Sequence, residues 1–402
     1  MIELSKNTNT SEQENISRRQ RGNALIVLLY IFQQGLLLPL SPFISLDIAL
    51  IVCTTLITGY ALVTRRVVIT SGTIILFFTP LILLLFKIPF ENALDGTNFS
   101  LRFLIAFLTI GLSGILIGTI PFLDEDFLNI GLKVSWINLL LICWIPISSR
   151  YGIEDGQINY MRFGYAILPS ILFSFWHAIN GKKVISSSLL CLGALLECLF
   201  FGARGATLVV VVTGIIYFLF ISKQNLLQKI LVIMGIGILA FLLLQGDSFW
   251  LEILKSSEVD SYYAISKYTS LIEGGTLAES SSGRTTIYAK AWERFLSSPI
   301  VGSPLNSCFV DTGFEYYHNI FLDLLVNFGA FVFLFFLFYL GDRFILIYNM
   351  KDKKQSFIFL ILLLLPLGRL LVSSSLWLRP EFWVFMSYSA NLGRRITYLR
   401  PN

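Results

Sequence analysis

From residue 24 to residue 392 the chain is a succession of apolar runs separated by polar connections. Each run extends for roughly 17–22 residues, enough for an α-helix rising about 1.5 Å per residue to cross a hydrocarbon core about 30 Å thick. The runs are apolar throughout and do not alternate at every second position, so transmembrane helices are expected and a β-barrel is not. Spans are predicted near 24–40, 47–63, 67–86, 103–122, 129–147, 163–179, 184–201, 205–221, 230–245, 319–340, 356–374 and 378–392. The expected fold is all-α, a polytopic integral membrane bundle of about twelve transmembrane helices. Its parts are an N-terminal tail at 1–22, nine spans within 23–245, a large loop at 246–318, three spans within 319–393 and a C-terminal tail at 394–402.

Composition agrees. Hydrophobic residues make up 55% of the chain and charged residues 14%, against about 25% charged in a typical soluble domain. With a mean hydropathy of +0.74, a soluble globular protein is excluded. The placement of the charges says more than their net value of +5. With "SRRQR" at 17–21 taken as cytoplasmic, Arg65 and Arg66, "NGKK", "SKQNLLQK", "GDR…NMKDKK" and "RRITYLR" fall on the same side. Together with the tail these segments hold more than half of the 30 Lys and Arg residues, as the positive-inside rule expects. Acidic "DEDF" at 124–127 shares that side, and both termini are then cytoplasmic. No small-residue cleavage site follows the first apolar run, so an uncleaved N-terminus is expected. Four of the five cysteines lie in predicted spans and only Cys308 in a loop, which implies neither a disulfide framework nor a metal site. Trp144, Trp250, Trp377 and Trp383 fall near outer boundaries, where an aromatic belt accounts for them.

The connection from Gly246 to Tyr317 is by far the longest and lies on the outer side. Within it, "SSSGRTTIYAKAWERFLSSPIVG" at 280–302 places Tyr288, Ala291, Trp292 and Phe295 at spacings of three and four. That pattern predicts a short amphipathic helix, capped by Ser282 or Thr285 and closed by Pro299. Such a helix lies on the membrane surface or folds back over the bundle. Arg284 stands at its N-terminus, where unpaired amides already favour an anion. The plainer alternative is a solvated loop arginine.

Other candidates lie nearer the membrane. Arg204, in the short outer turn "FGARGA", has small neighbours that let a ligand approach closely. Glu197 lies seven residues earlier inside an apolar span, about two helical turns away and on the same face. A carboxylate at that depth faces the bundle interior or an aqueous cavity, or serves as a structural partner for an arginine. Arg369, in "LLLLPLGRLLVSSS", is a further intramembrane charge, with snorkelling to the headgroups as the plain alternative. Arg102, Arg150, Arg162 and Arg379 border the same surface. A guanidinium stays charged at any pH and binds phosphate bidentately, so arginines gathered at the outer leaflet suit a lipid-linked phosphate or diphosphate.

The chain has two histidines. His318, between Tyr317 and Asn319, opens the tenth span and is a candidate general base or polar clamp, since imidazole titrates near neutral pH. An interfacial residue is the plain alternative. His177 lies toward the cytoplasmic end of its span and is not expected to share a site with His318.

Taken together, Ser282, Gly283, Arg284, Trp292, Pro299 and Gly302, followed by His318, Asn319 and Gly329, resemble the signature of the O-antigen polymerase and O-antigen ligase superfamily. The turn "ARGA" at 203–206 is similar to the arginine turn of that family. The likeness covers 200 to 330; beyond it only length and topology agree. Val332 departs from the pattern, which often has glycine, threonine or tyrosine there.

The resemblance implies a glycosyltransferase of the bacterial inner membrane with its active site on a large periplasmic loop, using no metal, cofactor or nucleotide sugar. The implied donor is a glycan on undecaprenyl diphosphate, and the acceptor is a second such carrier (polymerase) or lipid A-core (ligase). The polymerase is the expectation. A chain-length regulator is a candidate partner, and no nucleic acid is. Arg204, Arg284 and His318 are the implied catalytic residues, with Arg369, Glu197, Asn319 and Tyr317 as weaker candidates for holding diphosphate or glycan. The rival class is a transporter, such as a polysaccharide flippase. Such carriers usually show two similar halves, and no half-to-half similarity is evident here.

Overall fold

The structure, a computed structural model, describes residues 2–91, 98–147, 160–181, 183–200, 204–222, 284–350, 352–371 and 374–392. The side chains of 2–13, 144–147, 160–161, 199–200 and 204 fall outside that description. So do the predicted ninth span at 230–245, Arg150, most of the large loop with Ser282 and Gly283, and the C-terminal tail.

Among the described residues the chain is helical and contains no strand. The helices are α1 (Ile2–Leu37), α2 (Leu46–Val63), α3 (Ser71–Lys87), α4 (Phe99–Ala106), α5 (Leu112–Gly118), α6 (Asp124–Ile147), α7 (Tyr160–Asn180), α8 (Val184–Phe200) and α9 (Arg204–Ile216). After the loop come α10 (Arg284–Ser297), α11 (Ser307–Thr312), α12 (Ile320–Tyr348), α13 (Lys353–Leu370) and α14 (Pro380–Ala390). Apart from the ninth, every predicted span falls on one of these helices. Among the described residues six stretches are long and apolar enough to cross a membrane: Glu14–Leu40, Leu46–Val63, Ser71–Phe90, Phe99–Gly118, Asp124–Cys143 and Ile320–Tyr348. The N-terminal tail is itself helical and continuous with the first span. It contains no glycine or proline before Gly22, and Arg18 pairs with Glu14 one turn away at 3.0 Å.

The bundle is built around α13, which is buried along nearly its whole length and packs against α7, α9 and α14. By contrast, α2 and α3 present Leu56, Val63, Ile75 and Ile82 outward, as lipid-facing helices do. Close approach of α5 and α14 depends on Gly114 and Gly118, four residues apart. A Cβ on either would collide with the Pro380 or Val384 carbonyl. Membrane helices commonly pack through such small-residue seams. Trp377 and Trp383 correct the aromatic-belt expectation. They are 4% and 2% exposed, in a core with Phe103, Phe107 and Phe328, and the Trp383 indole donates to the Leu376 carbonyl. Burial with a hydrogen-bond acceptor in reach satisfies both halves of an indole.

The predicted cytoplasmic connections gather at one end. Arg66 donates to the Arg19 carbonyl and to Asn23, Arg21 meets Asp126, and Lys354 meets Glu125. At the other end Arg162 pairs with Asp47, and Arg102 with Glu315.

Candidate functional site

The second end carries the candidate chemistry. Helix α10 begins at Arg284 and ends ahead of Pro299, as expected, and Thr285 lies inside it and is not its cap. Ile287 and Ala291 are its buried positions, packed with Cys308, Tyr317 and Val326. Tyr288 and Phe295 flank them, whereas Trp292, expected on the same face, points outward and is 52% exposed. The helix therefore folds back over α12. A two-pronged pair from Arg294 to Asp311, at 2.6 and 2.7 Å, ties it to α11.

The turn after α10 docks on a break in α12. Gly329 interrupts that helix with φ +77°, and Gly302 opposite has φ +78°. A Cβ on Gly329 would overlap the Ile300 carbonyl, and one on Gly302 would collide with the backbone of Asn327 and Phe328. Only glycine supplies both the left-handed backbone and the missing side chain. Ala330 N–H then donates to the Pro299 carbonyl at 2.8 Å, and Ser303 N–H to the Val326 carbonyl at 2.7 Å. Lys87, from the last turn of α3, is 3% exposed and donates to the Val301 and Ser303 carbonyls at 3.0 and 3.1 Å.

This scaffold presents His318. Its backbone is left-handed, φ +55°, a conformation costing a non-glycine residue on the order of 1–3 kcal/mol and kept only where neighbours enforce it. The enforcing contacts surround it. Arg102 holds Glu315, the Tyr317 N–H donates to Asp323 Oδ1 at 2.9 Å, and the Tyr317 hydroxyl bonds Ser307 at 3.1 Å. Asn319 caps α12, its side chain accepting from the Phe321 and Leu322 amides. Tyr317 is 0% exposed. Asn319 and Tyr317 thus have their polar groups engaged in building the turn.

The imidazole packs edge-on against Tyr316, with centroids 4.6 Å apart, and against Phe314 at 5.4 Å. Its Nδ1 is buried and meets no hydrogen-bond partner among the described residues. Burial first, and the Arg284 charge second, push its pKa down to about 4. The ring is therefore neutral at physiological pH, and its buried Nδ1 is left without a protein partner by the described residues.

From His318 a row of cations runs inward. Arg379 lies close enough to Tyr316 for its charge to oppose the rise that burial imposes on the phenol. Arg379 donates to Ser374 and is an electrostatic neighbour of Arg162, Glu381 and Arg369. Arg369, 5% exposed, stacks 4.6 Å from the centre of the Tyr165 ring. Gln34, Tyr165, Arg369 and Glu381 line a small cavity. Arg204 opens α9, and the carbonyl of the next residue, Gly205, lies beside Gly368. The arginine turn is thus at the level of Arg369, although the Arg204 side chain lies outside the described residues. Glu197 is hydrogen-bonded with the Cys143 thiol of α6.

Three contributors escaped the sequence reading. They are Lys87, Asp323 and Tyr316, none of which the sequence singled out.

Residues 189–337 match the O-antigen ligase family model. The match takes in α9, α10, the His318 turn and the broken half of α12. No curated protein matches the chain.

Proposed function

We propose that the chain is a periplasmic-side polymerase that joins undecaprenyl-diphosphate-linked repeat units into O-antigen or a similar surface polysaccharide. The observation that carries this reading is a neutral imidazole with an unpartnered nitrogen, held beside Arg284 at the end of a row of arginines. The family match supports a glycosyltransferase of the polymerase and ligase group.

In the proposed reaction an acceptor sugar hydroxyl attacks the anomeric carbon of the donor glycan. The new C–O bond forms as the bond to the diphosphate oxygen breaks, and the diphosphate leaves with the electron pair. Arg284 and Arg204 stabilise the charge that builds on the leaving group, the kind of preorganised electrostatic help that contributes most in a dry site. Arg379 and Arg369 extend that field inward.

His318 receives the hydroxyl proton on its imidazole. A pKa of about 4 makes the free ring a weak base. A bound diphosphate offsets the Arg284 charge and adds an anion, and both changes raise the pKa toward the range where proton transfer is effective. The base is strengthened only when the donor is present.

The test is the glycan phenotype of a deletion strain complemented with variants. Lipid A-core bearing a single repeat unit identifies a polymerase; long chains on undecaprenyl diphosphate with bare core identify a ligase. Single units stranded on the cytoplasmic face identify a flippase. Arg204→Ala, Arg284→Ala and His318→Ala are expected to insert normally and to fail in complementation, and wild-type chain lengths from all three sink the site assignment.

A further inference from the structure

Around the helical wheel of α10 the side chains fall into three sectors. Ile287, Ala291 and Phe295 pack inward, and Lys290 and Glu293 pair with each other at 2.7 Å on a polar edge. Between these sectors Ala289, Trp292 and Leu296 form a largely exposed stripe, Trp292 being 52% and Leu296 61% exposed. Ile300 and Val301, 62% and 53% exposed, prolong the stripe past the end of the helix. Water is a poor environment for a contiguous edge of Trp, Leu, Ile and Val.

The flanks of the stripe identify its occupant. The Val301 carbonyl is held by Lys87, whose neighbours Leu85, Phe86 and Phe90 are 47%, 52% and 56% exposed at the end of a candidate membrane span. On the other side the Pro299 carbonyl is bonded by Ala330, next to Phe331, which is 70% exposed on a second candidate span. The turn 299–301 is thus wedged between two lipid-facing surfaces and is continuous with both. The polar edge formed by Lys290 and Glu293 is the side left for water.

From this continuity we infer that the edge formed by Ala289, Trp292, Leu296, Ile300 and Val301 is immersed in the outer leaflet, with acyl chains as its partner. The loop helix is then an interfacial helix with a lipid edge, a water edge and a protein face. Trp292 is its anchor at the headgroup boundary, where amphipathic rings are favoured. The assignment stands on packing alone and does not depend on the proposed reaction.

The test uses the whole chain in nanodiscs of phosphatidylcholine or of its chain-brominated counterpart. Subtracting the emission of Trp292→Phe from that of the wild type isolates Trp292. The expected difference spectrum loses more than half its intensity in brominated lipid and is unchanged by iodide in the buffer. Quenching by iodide without quenching by bromolipid overturns the inference. Quenching by neither also overturns it and assigns the edge to a protein contact. Should Trp292→Phe fail to fold, Leu296→Trp added to the wild type must gain emission with the same bromolipid sensitivity.

Discussion

The two histidines stand at opposite ends of the bundle, and their surroundings differ in kind. His177 is 8% exposed on ordinary helical backbone in α7, and its Nε2 is paired with the Leu128 carbonyl at 3.0 Å. His318 has left-handed backbone, a buried Nδ1 with no partner among the described residues, and Arg284 as its charged neighbour. Charges follow the same division. At the His177 end, Arg21 and Lys354 meet carboxylates. At the His318 end, Arg102 and Arg294 are spent on bracing the loop, while Arg379 and Arg369 share Glu381. A residue type acquires a functional reading from what its neighbours leave undone.

The largest expected effect breaks this contrast directly. His318→Ala should lower glycosyl transfer by roughly 10²–10⁴-fold, the usual worth of a positioned acid or base. His177→Ala should leave turnover within a few-fold and cost about 0.5–1.5 kcal/mol of stability for the lost hydrogen bond. Transfer assays with lipid-linked donor, run beside thermal unfolding in detergent, separate the two. Equal losses of turnover would erase the distinction.

Next comes the scaffold. Gly329→Ala forces a Cβ into the Ile300 carbonyl on left-handed backbone and should cost more than about 2 kcal/mol. The expected sign is early proteolytic cleavage near 299–303 with the remaining spans intact. Unchanged protease resistance would mean that the docking of the turn on α12 is not needed.

A smaller effect sharpens the electrostatic argument. Removing the Arg284 cation makes the imidazolium less costly, so Arg284→Gln should raise the His318 pKa from about 4 toward the ordinary histidine range. Burial, the larger cause, remains, so the shift is partial. With only two histidines in the chain, carbon-13 imidazole NMR in a His177→Gln background reads His318 alone. An unchanged or lower pKa removes Arg284 from the site. The smallest effect belongs to the opposite end: Lys354→Ala, breaking an exposed pair with Glu125, should change stability by less than about 1 kcal/mol.

Much of the fold was legible because its signals are local. Continuous apolar runs of bilayer length mark helices one at a time, and Arg65, Arg66 and "DEDF" did come together at one end. His318 was legible as a scarce ring at the mouth of a span, and Arg284 as a cation at the start of an amphipathic loop helix. The supporting residues were not. Lys87 bonds carbonyls more than 200 positions away, and a carbonyl acceptor leaves no mark on residue identity. Trp292 misled because two of its neighbours at helical spacing are buried, and periodicity alone does not say which edge of a stripe meets protein and which meets lipid.

By itself, then, the sequence determined that the chain is helical and built for a membrane. Hydrophobic length and charge placement act residue by residue, and tertiary contacts are not needed to read them. Only the tertiary structure decided that Gly302 and Gly329 lock the turn after α10 to a broken helix and that Asn319 caps α12 while Tyr317 anchors the turn before it. It also decided that His318 keeps an unpartnered nitrogen beside Arg284. Those outcomes rest on backbone meeting backbone and on charges acting through space, which no spacing along the chain encodes.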